Sequence, residues 1–343
     1  MKHTLKKVTQ IRNKPLNISQ EDEKLFSHEY KKILKKTKVK LLKNVYIDQS
    51  KLKKYKYFRF HVKQWRMNPL SFKEKIIFFI KDLVNFFGQK GNKDIYIIPK
   101  ATWVVDSRTY QYFHWFTDGL QRIEVSKEQN QNYPVILLPG FDKFNYITDS
   151  LEILGIKYLV LEKNKTYLVK NLILSERVSP AGNFRKSIIQ KVSENLKLNF
   201  KYSEKSKSYS RIWISRQLAT KRKISNFGEI IPILEKHNFK IIEFETISFS
   251  DQVEILKNCE ILGGLHGAGH TNMLFMSSNS LIIEVRGDND NKNNCFFSLS
   301  SDLENNYSYF LAKPTSENFY DSDYKIDTKL FDEYLNNIVS EFN

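Results

Sequence analysis

The segment Leu265-His266-Gly267-Ala268-Gly269-His270-Thr271-Asn272 combines two imidazoles, two glycines separated by one residue, and a hydroxyl and an amide where a helical stretch begins. It follows Glu260 to Leu265, an apolar run that reads as a strand, so it falls where a strand passes into a helix. A phosphate suits that place. Glycines admit close backbone approach, and free N–H groups at a helix start near Thr271 or Asn272 carry partial positive charge. The same glycines also serve a tight turn without any ligand. Arg216, Lys221 and Arg222 leave the end of another strand, Ile212 to Ser215, on the same sheet edge. Guanidinium groups there can pair a diphosphate bidentately and neutralise it without a metal, or form a solvated basic loop. Glu284 closes the strand Ser280 to Val285 and either accepts from a ribose or is an ordinary strand-end carboxylate.

A second constellation lies earlier. In Tyr110 to Arg122, His114 and Asp118 are four residues apart and share one face of a helix, so a carboxylate can orient an imidazole or act as a base itself. A core helix with a polar edge has the same spacing. Two Asp-x-Asp pairs, Asp288-Asn289-Asp290 and Asp321-Ser322-Asp323, have the form of a divalent-metal site. Both sit among Asn, Ser and Asp residues that read as turns, so no metal is expected.

The elements that must hold these groups are α/β. Strands are expected at Asp94 to Ile98, Trp103 to Val105, Val135 to Leu138, Tyr158 to Leu161 and Tyr167 to Leu174, with helices near 110–121 and 144–154. Asn226 with Glu229 forms a capping-box pattern, Ser250 is expected to cap a short helix, and strands recur at Lys240 to Phe244, Glu260 to Leu265 and Ser280 to Val285. Repeated alternation of this kind predicts a doubly wound, mainly parallel sheet. The polar run Tyr202 to Ser208 marks a domain boundary. Residues 1–60 show no clear period, whereas 71–88 read as a helix, either packed in a core or lying on a membrane surface.

Charge is uneven. Residues 1–100 hold 26 Lys/Arg against 8 Asp/Glu, a net of +18 within a total of +17, which leaves −1 for the remainder. That imbalance points to an anionic partner surface. The segment 1–90 is read as a basic extension that contacts anionic lipid or glycan, and its removal is expected to leave donor chemistry largely intact. A nucleic-acid or polyanion-binding protein is the alternative. Two cysteines and the absence of a signal-peptide or membrane-spanning run favour a cytoplasmic protein, peripheral on the membrane at most.

Ser215-Arg216 through Arg222, Asn226, Glu229, Asp251-Gln252, the 265–272 loop with Leu274-Phe275-Met276, and Ile282-Ile283-Glu284 together resemble glycosyltransferase family 61. Tyr112-Phe113-His114-Trp115 with Asp118 and Arg122 looks like that family's N-terminal aromatic-His segment. The resemblance spans about 100–310 and leaves out the basic first ninety residues. It implies a GT-B fold, with two Rossmann-like lobes around a cleft: 91–203 on the acceptor side and 204–343 on the nucleotide-sugar side. It further implies an inverting, metal-independent transferase in capsule or surface polysaccharide synthesis, acting from a nucleotide sugar, usually a uridine diphosphate sugar, to a glycan or lipid-linked glycan, with no nucleic acid involved. A non-catalytic subunit with the same fold is the other alternative. On this reading Arg216, Arg222, Glu284 and His266, Gly267, Ala268, Gly269, His270, Thr271 and Asn272 form the donor site, and Asp118 or His114 is the base. His270 departs from the family, which usually has Leu there.

Overall fold

A computed structural model describes residues 2–48, 95–129, 132–204, 208–288, 290, 292–316 and 322–342. The helix expected over 71–88 lies outside them. The chain forms two compact units, one of Met1–Val8 with Leu34–Ala181 and one of Thr9–Ile33 with Gly182–Asn343.

The N-terminal residues carry more structure than their lack of a period suggests: β1 (Lys2–Leu5), β2 (Val8–Ile11), α1 (Glu23–Tyr30), β3 (Lys31–Leu34) and β4 (Thr37–Asp48). β4 buries Val39, Val45 and Ile47, whose even spacing puts them on one face of the strand. The first unit continues with β5 (Ile95–Trp103), a helix running from Tyr112 to Lys127, β6 (Val135–Leu137), β7 (Tyr158–Val160) and β8 (Thr166–Ser175). Its sheet order is β1-β4-β8-β5-β6-β7, parallel from β8 to β7 and antiparallel from β8 to β1. The two strands expected at 94–98 and 103–105 are one, because β8 pairs β5 along its whole length.

The second unit holds β9 (Arg211–Ile214), β10 (Lys240–Ile242), β11 (Ile261–Leu265), β12 (Leu281–Gly287), β13 (Asn306–Pro314) and the short antiparallel β14 (Tyr324–Lys325). The order β10-β9-β11-β12-β13 is parallel throughout. In chain order that is 2-1-3-4-5, a doubly wound sheet whose strand order reverses between β9 and β11. Trp213, Leu281, Ile283, Phe310, Phe331 and Leu335 pack one face.

Residues 9–33 belong to this unit. Arg12 is buried in ion pairs with Glu29 at 2.9 Å and Asp302 at 3.0 Å, and the Leu16 N–H donates to the Tyr307 carbonyl at 2.8 Å. The helix Lys186–Asn199 also belongs to it, with the Ser193 hydroxyl donating to the Leu274 carbonyl at 2.6 Å. The units therefore divide at 181/182, ahead of the polar run near 203, and they take in the first 48 residues.

Two caps differ from expectation. Ser248, rather than Ser250, caps the helix Phe249–Leu256 by accepting from the Asp251 N–H at 3.1 Å. Asn226 stands at a helix N-terminus but spends both ends of its amide on Ile326, at 2.8 and 3.0 Å, and so ties that helix to the strand region instead of capping it.

Candidate active site

β9 and β11 end side by side at the point where the strand order reverses, which is where open α/β sheets bind ligands. β11 runs into a 3₁₀ helix, Ala268–Phe275. Its first N–H groups precede any intrahelical acceptor, and those of Gly267, Ala268 and Gly269 meet no acceptor among the described residues. Three successive free donors make an anion-binding turn.

Arg216, just past β9, lies over this turn. Its Nε donates to the Arg222 carbonyl at 3.1 Å and its Nη2 to the Lys221 carbonyl at 3.4 Å. A β-carbon on Gly267 would come within 2.3 Å of Arg216 Nη1. Gly267 has φ 174°, an extended conformation open to any residue, so space for the guanidinium, not backbone freedom, explains the glycine. Gly269 packs against Ile214 and Gly263 against Trp213, so these glycines serve packing. Burial, with Arg222 nearby, lowers the Arg216 pKa. The hydrogen bonds of Arg216 go to backbone carbonyls rather than to a carboxylate, and the buried Nε of Arg222 makes no hydrogen bond. Two half-buried cations and three free N–H groups thus collect at one strand edge, with the Glu245 charge close enough to act on Arg216 but not paired to it.

His266 follows β11 immediately. Its Nδ1 meets Oε1 of Glu284, whose Oε2 accepts from the Tyr307 hydroxyl. Burial pushes the Glu284 carboxyl up, but the neighbouring His266, Arg286 and His270 outweigh it and hold it down to about 2. The carboxylate is therefore ionised, His266 Nδ1 carries the proton between them, and Nε2 has no protein acceptor or donor among the described residues. Glu284 lies mid-strand, 0% exposed, with both oxygens taken. It orients His266 and offers no free oxygen to a ribose.

His270, Thr271 and Asn272 are buried as well, and Nδ1 of His270 and Oγ1 of Thr271 find no hydrogen-bond partner. His270 donates from Nε2 to the Ile283 carbonyl at 3.2 Å and packs 5.2 Å from the Phe296 ring, and burial lowers its pKa toward the neutral form. It fills the core behind Gly264, the role an apolar side chain would have. Asn272 donates to Gln252 at 3.3 Å.

The first unit holds the other constellation. The helix containing it has a π-helical turn, Trp115–Gly119, between Tyr112–His114 and Leu120–Lys127. Such turns recur at functional sites. His114 Nδ1 meets Asp118 Oδ2 at 2.7 Å. Arg177, which no motif marks, donates to Asp118 at 2.9 Å and to Asp106 at 2.5 Å. Arg122 holds Asp106 at 3.5 Å and donates to the Ser175 carbonyl. Burial raises the Asp118 pKa, but His114 and Arg177 more than reverse it. Asp118 is thus an ionised, buried acceptor that orients His114.

Among the described residues no group of three or more His, Cys, Asp or Glu is arranged to hold a metal ion. Asp290 spends Oδ1 on the N–H groups of Lys292 and Asn293, and Asp323 accepts from the Lys223 N–H at 2.8 Å, as turn-building carboxylates do.

Residues 112–283, half of the chain, match the model of the family described as glycosyltransferase 61. The chain belongs to glycosyltransferase family 61. Both constellations fall within or at the edge of that span, with Tyr307 beyond it. Over 82 residues the chain is also 33% identical to an EGF domain-specific O-linked N-acetylglucosamine transferase of Drosophila melanogaster, a stretch that covers 23% of this chain and 15% of that relative.

Proposed function

We propose that this chain transfers a sugar from a nucleoside diphosphate sugar, of the uridine type, to a glycan or lipid-linked glycan acceptor in surface polysaccharide synthesis, with inversion and without a metal. The observation that carries the reading is the set of donors at the β9/β11 switch point: Arg216, Arg222 and the N–H groups of Gly267, Ala268 and Gly269, none of them bonded to a carboxylate among the described residues. They match the charge that grows on a departing diphosphate. The two compact units are the lobes of a GT-B-type transferase in this proposal.

In the in-line displacement, an acceptor hydroxyl attacks C1 of the sugar, the bond from C1 to the diphosphate oxygen breaks, and the hydroxyl proton passes to a base. His114 takes that proton on Nε2, since Nδ1–H is committed to Asp118 and Asp118 is engaged by Arg177. The imidazolium then sits beside an ionised carboxylate that stabilises it.

Titration with uridine diphosphate and a panel of other nucleotides, in wild type and Arg216→Ala, tests the reading. Saturable binding of uridine diphosphate in excess chelator, lost in the variant, is expected. No binding to any nucleotide would sink it.

Attachment to the inner face of the cytoplasmic membrane is part of the proposal and rests on the charge of residues 1–90. Lys6, Lys7, Lys35 and Lys36 line an open cavity of about 510 Å³ at two turns of the first unit. Among the described residues no helix is long and apolar enough to cross a membrane. Flotation with anionic and neutral vesicles tests it. Equal recovery with both overturns it.

A further inference from the structure

Tyr307 and Phe26 belong to no motif, yet Tyr307 bonds the Glu284 that holds His266, and Phe26 packs on Tyr307. Glu284 is 0% exposed and Tyr307 3%, so water supplies neither of the bonds that Glu284 makes to His266 and Tyr307. A buried carboxylate that lost the Tyr307 donor would keep an unsatisfied oxygen and would rotate away or take up a proton. The Tyr307 ring is held edge-on by Phe26 at 5.9 Å and by Phe297 at 5.3 Å. Phe26 is 0% exposed, comes from α1, and also carries the Arg286 guanidinium at 4.9 Å from its ring centre. The N-terminal segment thus closes over the polar group that supports the phosphate turn.

We propose that Tyr307 and Phe26 are positioning residues of this site, forming with Glu284 a buried relay that fixes the Nδ1–H tautomer of His266 and leaves Nε2 for the ligand. The same anionic Glu284 supports the imidazolium, in which Nε2–H donates to a phosphate oxygen. The charged and titratable groups around the relay are Glu284 and Arg286 on β12, Tyr307 on β13, His270 in the 3₁₀ helix, and the Cys295 thiol and Asp290 beyond β12. The identity of the ligand rests on the nucleotide reading above. The relay itself is a property of the free protein.

Long-range ¹H–¹⁵N spectra of the nucleotide-free protein report the tautomer of His266, and titration with uridine diphosphate reports its consequence. Wild type is expected to show one tautomer, with the proton on Nδ1. Tyr307→Phe and Phe26→Ala are expected to show a mixture, with Kd for uridine diphosphate weakened about tenfold, the size of one lost buried hydrogen bond. Phe26→Leu, which keeps most of the bulk, should restore the wild-type tautomer. An unchanged His266 tautomer in folded Tyr307→Phe overturns the relay; if that variant does not fold, an unchanged tautomer in Phe26→Ala does. A shifted tautomer in a protein that binds no nucleotide leaves the relay standing and removes the nucleotide reading instead.

Discussion

The guanidinium of Arg216 occupies the space where a side chain on Gly267 would begin, with only 2.3 Å between Nη1 and the position of a β-carbon. Gly267→Ala must therefore push Arg216 off the anion-binding turn. Gly263→Ala meets the Trp213 ring at 2.7 Å, inside the core. The two substitutions should separate cleanly. Gly267→Ala should weaken uridine diphosphate binding by about tenfold or more with little change in Tm, since a bidentate charged contact is worth about 1.5–3 kcal/mol. Gly263→Ala should instead cost about 1–3 kcal/mol of stability by overpacking. Calorimetric titration and thermal melts on both variants check this, and a Gly267→Ala protein that binds nucleotide normally would show that Arg216 is not a ligand group.

Glu284 links the site to acid stability. Its folded-state pKa, about 2, lies below the ordinary value of 4.5, so its contribution is complete above pH 4.5 and disappears as the pH falls toward 2. The linkage is worth about 3 kcal/mol. Urea unfolding of wild type and Glu284→Gln at pH 6, 4 and 3 should show two curves that converge on acidification. Parallel curves would mean that the carboxylate is not held by His266 and its neighbours.

The N-terminal residues make a third test. Arg12 is bound on three sides, by Glu29, Asp302 and the Asn183 side chain at 3.0 Å, with its own side chain 0% exposed. Arg12→Ala leaves Asp302 buried without its cation, and such a loss typically costs about 3–5 kcal/mol. Removal of residues 1–33 should do more, because Phe26 and the Leu16 N–H leave with it. Unfolding of the truncated chain by urea at a markedly lower midpoint is expected. A truncated protein of wild-type stability would show that these residues are the accessory that their charge suggests.

That contrast shows which features the sequence carries openly. The β9 to β12 alternation, the His114 to Asp118 spacing and the position of Arg216 beside the 265–272 loop are local patterns, and helical or strand periodicity exposes them. Residues 9–33 offer no such pattern, because Arg12, Asn17 and Phe26 acquire their roles from Asp302, Ser308 and Tyr307, almost 300 positions away. Arg177 and Tyr307 stayed hidden for the same reason. The sequence marks Glu284 by its place on the strand edge, but burial decides its role, since strand position alone does not tell an oxygen facing a ligand from one already bonded to Tyr307. His270 is the converse case: a titratable residue beside the phosphate turn that packing makes a core residue.

The last prediction concerns the proton. If His114 is the base, Asp118 acts through it by fixing the Nδ1–H tautomer at 2.7 Å. His114→Ala should then lower sugar transfer, or donor hydrolysis where water replaces the acceptor, by about 10²- to 10⁴-fold, the range of general base catalysis. Asp118→Asn keeps the shape but can hold the wrong tautomer, so it should lose most of the same factor, with nucleotide affinity unchanged because the phosphate turn is untouched. Its pH profile separates the two roles. With His114 as the base, kcat should keep an acid limb in Asp118→Asn, because the base itself is still present. If Asp118 were the base itself, the acid limb would vanish in Asp118→Asn, and His114→Ala would retain measurable turnover with the carboxylate's own pH dependence.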